Sequence, residues 1–225
     1  MHTDVRIRIH RSQLKWIAVI SMLVDHVGYI FFPQLVWLRL IGRLAFPIYA
    51  FCLAEGYLHT SDFWSYFLRM LLLACLSELP FDLAFFGTAV ETGHQNVFFT
   101  LAISLLFLRI LDKYESRPLF CAVGFVALGA VAELLHTDYG VGGLLMVFSF
   151  YLILKKNQKL LGTGIFALTN LLGFYVWTQW AALLALIPLG LYDGRPAKRK
   201  QRFFYWIYPL HLVVLWIAAK YLGIR

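Results

Sequence analysis

The sequence predicts an all-α fold: a polytopic membrane bundle of about nine transmembrane helices with its N-terminus in the cytoplasm. Two observations predict it. Hydrophobic residues make up 61% of the chain and charged residues only 14%, and long apolar stretches recur with short polar interruptions. A water-soluble domain of 225 residues cannot bury that much apolar surface. Since no stretch has the composition of a separate soluble domain, we expect residues 1–225 to form a single membrane domain.

Each element follows from hydropathy and length. We expect residues 1–13 to form a basic cytoplasmic N-terminus and residues 14–222 to form the transmembrane bundle. The predicted crossings are 14–32, 36–58, 64–84, 96–111, 118–136, 140–154, 160–176, 177–192 and 203–222. The first crossing lacks a small-residue cleavage site and contains Asp25 and His26, so a cleaved signal peptide is not expected.

The positive charges fall almost entirely on one side of this predicted topology. The chain has a formal net charge of +8. The side that we assign to the cytoplasm receives Arg6, Arg8, Arg11, Lys15, Arg69, Arg109, Lys113, Arg117, Lys155, Lys156, Lys159, Arg195, Lys198, Arg199, Lys200 and Arg202. The other side receives Lys220 and Arg225. This division follows the positive-inside rule, so it predicts a multi-pass membrane protein with its N-terminus inside, and the lipid bilayer rather than nucleic acid as the partner of the basic excess.

Ionisable and polar residues recur inside the predicted crossings, where each charge costs a few kcal/mol and therefore marks pairing or function. They are Asp25, His26, Arg39, Arg43, Glu55, Glu78, Asp82, Asn96, Thr100, Glu133, His136, Asp138 and His211. In the predicted topology all of these except Glu55 and His211 lie in the outer half of the membrane or at its outer interface. The pattern predicts a shared polar cavity that opens outward.

Helical geometry relates some of these side chains to one another. Arg39 and Arg43 are four residues apart, so they share a helix face and can present two cations together. Neutralisation of Asp25, Glu78 or Asp82 explains the two arginines equally well. The two interpretations are compatible, because a network of arginines and carboxylates can also orient a catalytic group.

The histidines are candidates for general-base catalysis, for structural hydrogen bonds or for metal binding. Asp25 and His26 are about 100° apart on a helix, so we expect His26 to find its partner on another helix. His211 in the last crossing has the same set of alternatives. Glu55 and His59 are one turn apart, and an ion pair between them is expected. The sequence has no tight His–Cys cluster or metal-binding motif, so no metal is expected.

Two functions use this set of residues. Acyl transfer from a thioester needs a base, donors that stabilise the oxyanion and an enclosed site, and a histidine with arginines and an asparagine can supply them. A proton- or ion-coupled transporter uses the same groups as a pathway through the membrane. Composition and spacing leave both functions open, together with an assembly factor whose polar network only holds helices together.

Five ordered motifs carry a resemblance that covers about residues 14–218. They are MLVDH at 22–26, preceded by Leu14 and Lys15, IGRLAFP at 41–47, QNVFFT at 95–100, DYGVGGLL at 138–145 and FYWIYPLHL at 204–212. In these motifs the sequence resembles the TraX family of membrane acetylases, which is known from N-acetylation of conjugative pilins. The family is similar to the wider membrane acyltransferase-3 group, in which a histidine of an early transmembrane helix is implicated in acyl transfer.

The resemblance implies an enzyme, an O- or N-acetyltransferase, with acetyl-CoA as the donor substrate. The acceptor is a peptide N-terminus, a glycan or a small molecule reached at or across the membrane. The expected catalytic residues are Asp25, His26 and His211. The expected substrate-binding residues are Arg39, Arg43, Glu78, Asp82, Asn96, Asp138 and Tyr139. The basic loops at Lys155, Lys156 and 195–202 are candidates for attracting the phosphates of CoA, although the positive-inside rule explains them without that role.

Overall fold

The computed structural model describes residues 8–173, 176–195 and 203–224, and every regular element within these ranges is a helix. The elements are α1 Arg11–Phe31, α2 Val36–Gly42, α3 Ala45–His59, α4 Phe63–Phe85, α5 Val97–Lys113, α6 Pro118–Leu134, α7 Gly140–Leu154, α8 Lys159–Leu172, a 3-10 helix Trp177–Ala185, α9 Leu186–Gly190 and α10 Phe203–Tyr221. The predicted all-α fold is confirmed for these residues. Six of the basic residues that define the predicted charge division lie outside these ranges: Arg6, Lys198, Arg199, Lys200, Arg202 and Arg225.

Long apolar helices and an apolar exterior identify a membrane protein. Three helical stretches of the described chain are long and apolar enough to cross a bilayer: Arg11–Phe31, Val36–His59 and Phe203–Tyr221. Large aliphatic side chains also project outward along the shorter helices. Leu134 and Leu172 are 77% and 78% exposed, and Leu160 is 91% exposed. Such a surface is unfavourable in water and suits a lipid environment.

The second predicted crossing, 36–58, is broken rather than continuous. α2 ends at Gly42 and α3 begins at Ala45, with a turn at Arg43 and Leu44 between them. Pro47 explains the break, because it has no N–H for the carbonyl of Arg43 and its ring would clash with that carbonyl in a continuous helix. The break places the Arg43 side chain at the end of α2, beside α1.

The crossing predicted at 177–192 also differs from a regular α-helix. It consists of the 3-10 helix Trp177–Ala185 followed by the short α9. Pro188 lies in α9 and cannot donate a hydrogen bond to the carbonyl of Leu184. The 3-10 helix carries Gln179 into the site described below.

The helix ends gather at two opposite ends of the bundle. We call one the basic end, defined by Arg11, Glu55, Asp112, Lys155 and Asp193. At this end the chain before α1 pairs with the chain after α9, since Ile9 N donates to Leu191 O over 2.9 Å and Asp193 N donates to Ile9 O over 3.1 Å.

We call the other end the motif end, defined by Asp25, Arg39, Arg43, Asn96 and Asp138. There the α4–α5 loop pairs with the α6–α7 loop. Gln95 N donates to His136 O over 2.9 Å, and Asp138 N donates to Gln95 O over 3.0 Å. The third and fourth sequence motifs are therefore joined directly by backbone hydrogen bonds.

The core is centred on α3, which packs against α1, α5 and α7. Ala50 and Ala54 are fully buried in it, and such small side chains let helices approach closely. On α7, a Cβ added to Gly143 would collide with Thr100 of α5 and would lie 3.2 Å from Phe46 Cζ of α3. Close packing of α7 therefore requires the glycine of the fourth motif.

The expected ion pair between Glu55 and His59 is not formed. Glu55 Oε2 lies 3.1 Å from Arg11 Nε, and Glu55 Oε1 accepts a hydrogen bond of 2.6 Å from the Tyr192 hydroxyl. His59 Nδ1 instead bonds to the backbone carbonyl of Glu55 at 2.8 Å. His59 is the last residue of α3, where carbonyl groups lack intrahelical donors, so its ring satisfies the backbone.

Candidate functional site

A cavity of about 330 Å³ lies at the motif end. Its walls come from α1, the α2–α3 turn, the end of α4, the α4–α5 loop and the 3-10 helix. The polar lining residues are Asp25, His26, Arg39, Arg43, His94, Asp138, Tyr139 and Gln179. All five sequence motifs contribute to this wall, the last through Tyr208 and the third through Val97. The cavity is large enough for a small polar group with part of an acceptor, and it combines cations, carboxylates and imidazoles.

His26 and His211 form a hydrogen-bonded pair at the edge of this cavity. His26 Nδ1 lies 2.7 Å from His211 Nε2, and the two ring planes are 20° apart with centroids separated by 5.0 Å. The edge of His26 also packs on Phe85, at 4.9 Å between centroids. The expectation that His26 takes its partner from another helix is confirmed, and Asp25 does not contact its ring.

The hydrogen bonds of the pair assign the proton positions. His211 Nδ1 lies 2.9 Å from the carbonyl oxygen of Ile207, which can only accept, so Nδ1 of His211 carries the hydrogen. In neutral His211 the Nε2 atom is then an acceptor, and His26 Nδ1 must donate to it. Neutral His26 consequently has an unprotonated Nε2. Because His26 lines the cavity and His211 does not, the free lone pair belongs to the histidine that a ligand can reach.

Asp25 is paired with Arg39 rather than with the histidines. Arg39 Nη1 lies 2.6 Å from Asp25 Oδ2 and also donates to the Asp25 carbonyl over 3.1 Å. The guanidinium sits over the Tyr29 ring at 5.0 Å from its centroid. A Cβ added to Gly42 would collide with Asp25, so the absence of a side chain at this position allows α2 to approach the carboxylate.

Arg43 reaches the cavity through a different set of contacts. Its Nη1 lies 3.4 Å from Gln179 Oε1, and it hydrogen-bonds the side chain of Tyr139. Gln179 Nε2 donates to Asn170 Oδ1 over 2.9 Å, which fixes the orientation of the amide. Arg43 Nε and Asp25 Oδ1 are buried and have no hydrogen-bond partner within the described chain. Both atoms are shielded from solvent, so they are unsatisfied polar groups inside the wall of the site rather than open contacts to the cavity.

His94 and Asp138 form an ion pair at the mouth of the cavity. His94 Nε2 lies 3.1 Å from Asp138 Oδ1, and the imidazole stacks on Phe81 with centroids 5.9 Å apart. The hydrogen bond to Asp138 raises the pKa of His94, and the negative charges of Asp138, Glu78 and Glu91 add to this effect. His94 lies in the α4–α5 loop, so this pair is the part of the site nearest to water.

Six of the predicted site residues come together here: Asp25, His26, Arg39, Arg43, Asp138 and Tyr139 line the cavity. His211 does not line the cavity but hydrogen-bonds to His26, which does. The other three predicted residues are absent from the cavity wall. Asn96 caps α5 by accepting from Phe98 N over 3.0 Å, and its amide donates to the Ala74 carbonyl over 2.8 Å and to Glu78. Asn96 thus has no free donor for an acyl carbonyl, and Glu78 serves mainly to hold Asn96.

Asp82 likewise has a local structural contact. Its Oδ2 accepts a hydrogen bond of 2.9 Å from Glu91 N, which ties the α4–α5 loop to the end of α4. The fully buried Thr100 accepts, at 3.4 Å, from the backbone N–H of Tyr139. These polar groups position the loops that carry His94 and Asp138.

Sequence reasoning missed His94 and Gln179. His94 directly precedes the third motif, and this position beside a motif could have indicated a site residue. Gln179 is an uncharged polar residue in an otherwise apolar predicted crossing, which is a weaker signal. Neither residue could be paired with its partner from sequence, because Asp138 and Arg43 are far from them along the chain.

A second and larger cavity, of about 420 Å³, lies toward the basic end. It shares three lining residues with the first, namely Tyr49, Val97 and Tyr208. The two cavities therefore adjoin within the bundle. Within the described residues no group of three or more His, Cys, Asp or Glu side chains could hold a metal ion, and Cys52, Cys75 and Cys121 are free thiols.

Comparison with known proteins places the chain in a family. The family model described as TraX protein matches residues 10–219. The probable fimbrial assembly protein FimC, serogroup H1, of Dichelobacter nodosus is 31% identical over 244 aligned residues, which cover 93% of this chain and 96% of that protein. An uncharacterized protein of Rickettsia prowazekii (strain Madrid E) is 44% identical over 48 residues, or 21% of this chain and 18% of that protein. No solved structure matches the chain significantly. With a family match over most of its length, the chain belongs to the TraX protein family.

Proposed function

We propose that this chain is a membrane-embedded acyltransferase that transfers an acetyl group from acetyl-CoA to an amine or hydroxyl acceptor. The observation that carries the proposal is the His26–His211 pair, in which His26 Nε2 is free to accept a proton at the cavity wall. The base is therefore His26, and His211 is a positioning residue that fixes the tautomer of His26. This assignment separates the roles of two histidines that the sequence left equivalent.

The reaction uses the groups of the cavity in sequence. The acceptor nitrogen or oxygen attacks the thioester carbonyl while its proton passes to His26 Nε2. The guanidinium of Arg43, which lines the cavity, donates to the oxyanion that develops on the carbonyl oxygen. When the tetrahedral intermediate collapses, the carbon–sulfur bond breaks and the thiolate takes the proton from His26. Free CoA and the acetylated acceptor leave, and the histidine returns to its neutral form.

The neighbouring ion pairs orient the substrates. Arg39 is held by Asp25 and by the Tyr29 ring, so its position is fixed before any ligand arrives. Asp138 and His94 flank the mouth of the cavity, where an incoming amine would meet a carboxylate. Asp25 therefore acts through Arg39 and not as a catalytic group.

The proposed acceptor is a polypeptide presented at the motif end. The name of the Dichelobacter nodosus relative as a probable fimbrial assembly protein supports a pilus subunit as this polypeptide. We further propose that the chain crosses a bacterial inner membrane about nine times with its N-terminus in the cytoplasm. The clustering of Arg11, Lys155 and Arg195 with their carboxylate partners at the basic end supports that orientation.

The test uses purified full-length protein in nanodiscs, with labelled acetyl-CoA and a peptide amine as acceptor. His26→Ala is expected to lower the transfer rate about 10²- to 10⁴-fold, the contribution of a general base. His211→Gln keeps an acceptor for His26 Nδ1 and is expected to retain most activity. His211→Leu removes that acceptor and is expected to cost roughly tenfold.

The control for folding is the thermal unfolding temperature of each variant. If His211→Gln were as damaging as His26→Ala at an unchanged unfolding temperature, a hydrogen-bond acceptor for His26 would not be the role of His211, and the assignment of His211 as a positioning residue would be wrong. Wild-type transfer rates in both His26→Ala and His211→Leu would refute acyl transfer through this pair.

The second candidate function is a proton- or ion-coupled transporter. The observation that favours it is the meeting of two cavities at Tyr49, Val97 and Tyr208, with ionisable groups along the path. Substrate flux into liposomes that contain the protein, without consumption of a thioester, would favour this function over acyl transfer. A chain that only holds an assembly together would show neither flux nor transfer.

A further inference from the structure

The larger cavity carries positive charge that the protein itself leaves uncompensated. Three cations line it: Arg11, Lys15 and Arg69. Arg11 is paired with Glu55, at 3.1 Å between Nε and Oε2. Lys15 and Arg69 have no carboxylate within ion-pair distance in the described chain.

Aromatic rings are the neighbours of these two cations. Lys15 Nζ lies 5.2 Å from the centroid of the Phe204 ring, and Arg69 Cζ lies 5.7 Å from that of Tyr66. A cation over an aromatic face keeps its donors available to an anion. Both rings also line the cavity, so the two charges are held on its wall and do not extend away from it.

Three of the cations predicted to attract the phosphates of CoA are already paired, and Lys198, Arg199, Lys200 and Arg202 lie outside the described residues. Lys155 Nζ lies 2.5 Å from Asp112 Oδ1, Lys156 is paired with Glu115, and Arg195 Nε lies 3.8 Å from Asp193 Oδ2. These pairs leave little net charge for a ligand. Among the lysines and arginines that line the larger cavity, Lys15 and Arg69 are therefore the two that an anionic ligand can neutralise.

We propose that the larger cavity binds a phosphate-bearing ligand through Lys15 and Arg69, and that Tyr49, Val97 and Tyr208 form the passage from it to His26. This inference rests on the proposed acyl transfer, since it assigns the phosphates of the donor to one cavity and the thioester end to the other. Arginine and lysine both bind phosphate through charge-assisted hydrogen bonds. The phosphate comes either from a nucleotide-bearing thioester or from the headgroup of an anionic lipid.

The passage follows from the shared lining residues. Tyr208 is buried and packs edge-on against Phe98, with centroids 4.9 Å apart. Its ring centroid also lies 6.2 Å from that of His26. A flexible arm that enters from the larger cavity beside Tyr49 and Val97 would therefore emerge next to the catalytic imidazole.

The first experiment measures binding of free CoA to the full chain in nanodiscs of neutral lipid, by isothermal titration calorimetry. The variant Lys15→Gln/Arg69→Gln is expected to weaken binding about tenfold or more, because two charge-assisted contacts to phosphate are lost. The matched control is Lys113→Gln/Arg117→Gln, which removes one lysine and one arginine that lie over Tyr114 and Phe120 outside the cavity wall. The control is expected to bind CoA as the wild type does.

A second arm distinguishes the source of the phosphate. Thermal unfolding is compared in nanodiscs with and without phosphatidylglycerol, in the absence of CoA. A stabilisation by phosphatidylglycerol that the double variant loses, together with unchanged CoA binding, would assign the site to a lipid headgroup. Loss of CoA binding alone assigns it to the donor. If the double variant changes neither measurement, the site is refuted, whether or not the protein transfers acetyl groups.

The passage is tested by adding bulk within it. Val97→Phe is expected to lower acetyl transfer at least tenfold, while its thermal unfolding temperature, the control for folding, stays near that of the wild type. Val126→Phe adds the same bulk on the exposed face of α6 and serves as the control. Unchanged transfer in Val97→Phe would overturn the passage. A wild-type protein that binds CoA through Lys15 and Arg69 but transfers no acetyl group would instead refute the proposed function and leave the phosphate site standing.

Discussion

The charged groups at the two ends of the bundle differ in how fully they are hydrogen-bonded. At the basic end, Asp112 accepts hydrogen bonds from Tyr57 at 2.7 Å, from Lys155 at 2.5 Å and from Tyr151. At the motif end, the carboxylate of Asp25 and the guanidinium of Arg43 each retain a buried atom without a partner in the described chain. Arg11 Nε and Glu55 Oε2 at the basic end also lack a hydrogen bond, but they face each other in an ion pair at 3.1 Å. The comparison therefore concerns Asp112, whose hydrogen bonds contribute mainly to stability, and Arg43, whose side chain lines the cavity.

The largest effects are expected when one charge is removed at each end of the bundle, and they test whether the two ends have different roles. Arg43→Gln is expected to lower acetyl transfer about 10²- to 10³-fold, because the oxyanion loses its donor, with little change in stability. Asp112→Asn is expected to leave transfer nearly unchanged and to lower the free energy of unfolding by about 1–2 kcal/mol. Transfer rates and thermal unfolding of both variants check the prediction. Comparable losses of activity in the two variants would remove the distinction between the ends.

A smaller effect is expected from the packing that brings Asp25 to Arg39. Gly42→Ala forces a Cβ against Asp25 and is expected to destabilise the protein by about 1–3 kcal/mol. Gly164 of α8 has open space around it, so Gly164→Ala is expected to stabilise its helix by up to about 1 kcal/mol. Denaturant or thermal unfolding measures both. A neutral Gly42→Ala would show that α1 and α2 can separate without loss, which would weaken the case for a preformed site.

The smallest expected effect concerns pH. Asp138 raises the pKa of His94, so the ion pair contributes stability that is fully present below the ordinary histidine pKa of about 6.5 and is lost as pH rises through the raised value. Both side chains are more than a third exposed, which keeps this contribution below about 1 kcal/mol. Asp138→Asn is expected to lower the pKa of His94 in an NMR titration. An unchanged pKa would mean that His94 and Asp138 are not paired in solution.

The helix positions show which features of the fold can be predicted from sequence patterns. Hydropathy located the apolar segments within a few residues, because burial in a membrane requires long apolar runs. The predicted segments 36–58 and 177–192 agree with the helical stretches Val36–His59 and Trp177–Gly190. Hydropathy did not reveal the turn at 43–44 or the 3-10 geometry of Trp177–Ala185, because neither interrupts the hydrophobic pattern. The number of crossings stays a prediction, since three helical stretches of the described chain meet the length and composition needed to span a bilayer.

The sequence by itself determined the all-helical class, the candidates Asp25, His26, Arg43 and His211, and the family, because these depend on composition and on residues read along one chain. Only the tertiary structure decided that His26 pairs with His211, that Asp25 binds Arg39, and that Asn96 caps a helix outside the cavity. The reason is physical: a tautomer and the direction of a hydrogen bond are set by contacts between helices. Residues 185 positions apart carry no local signal of such a contact.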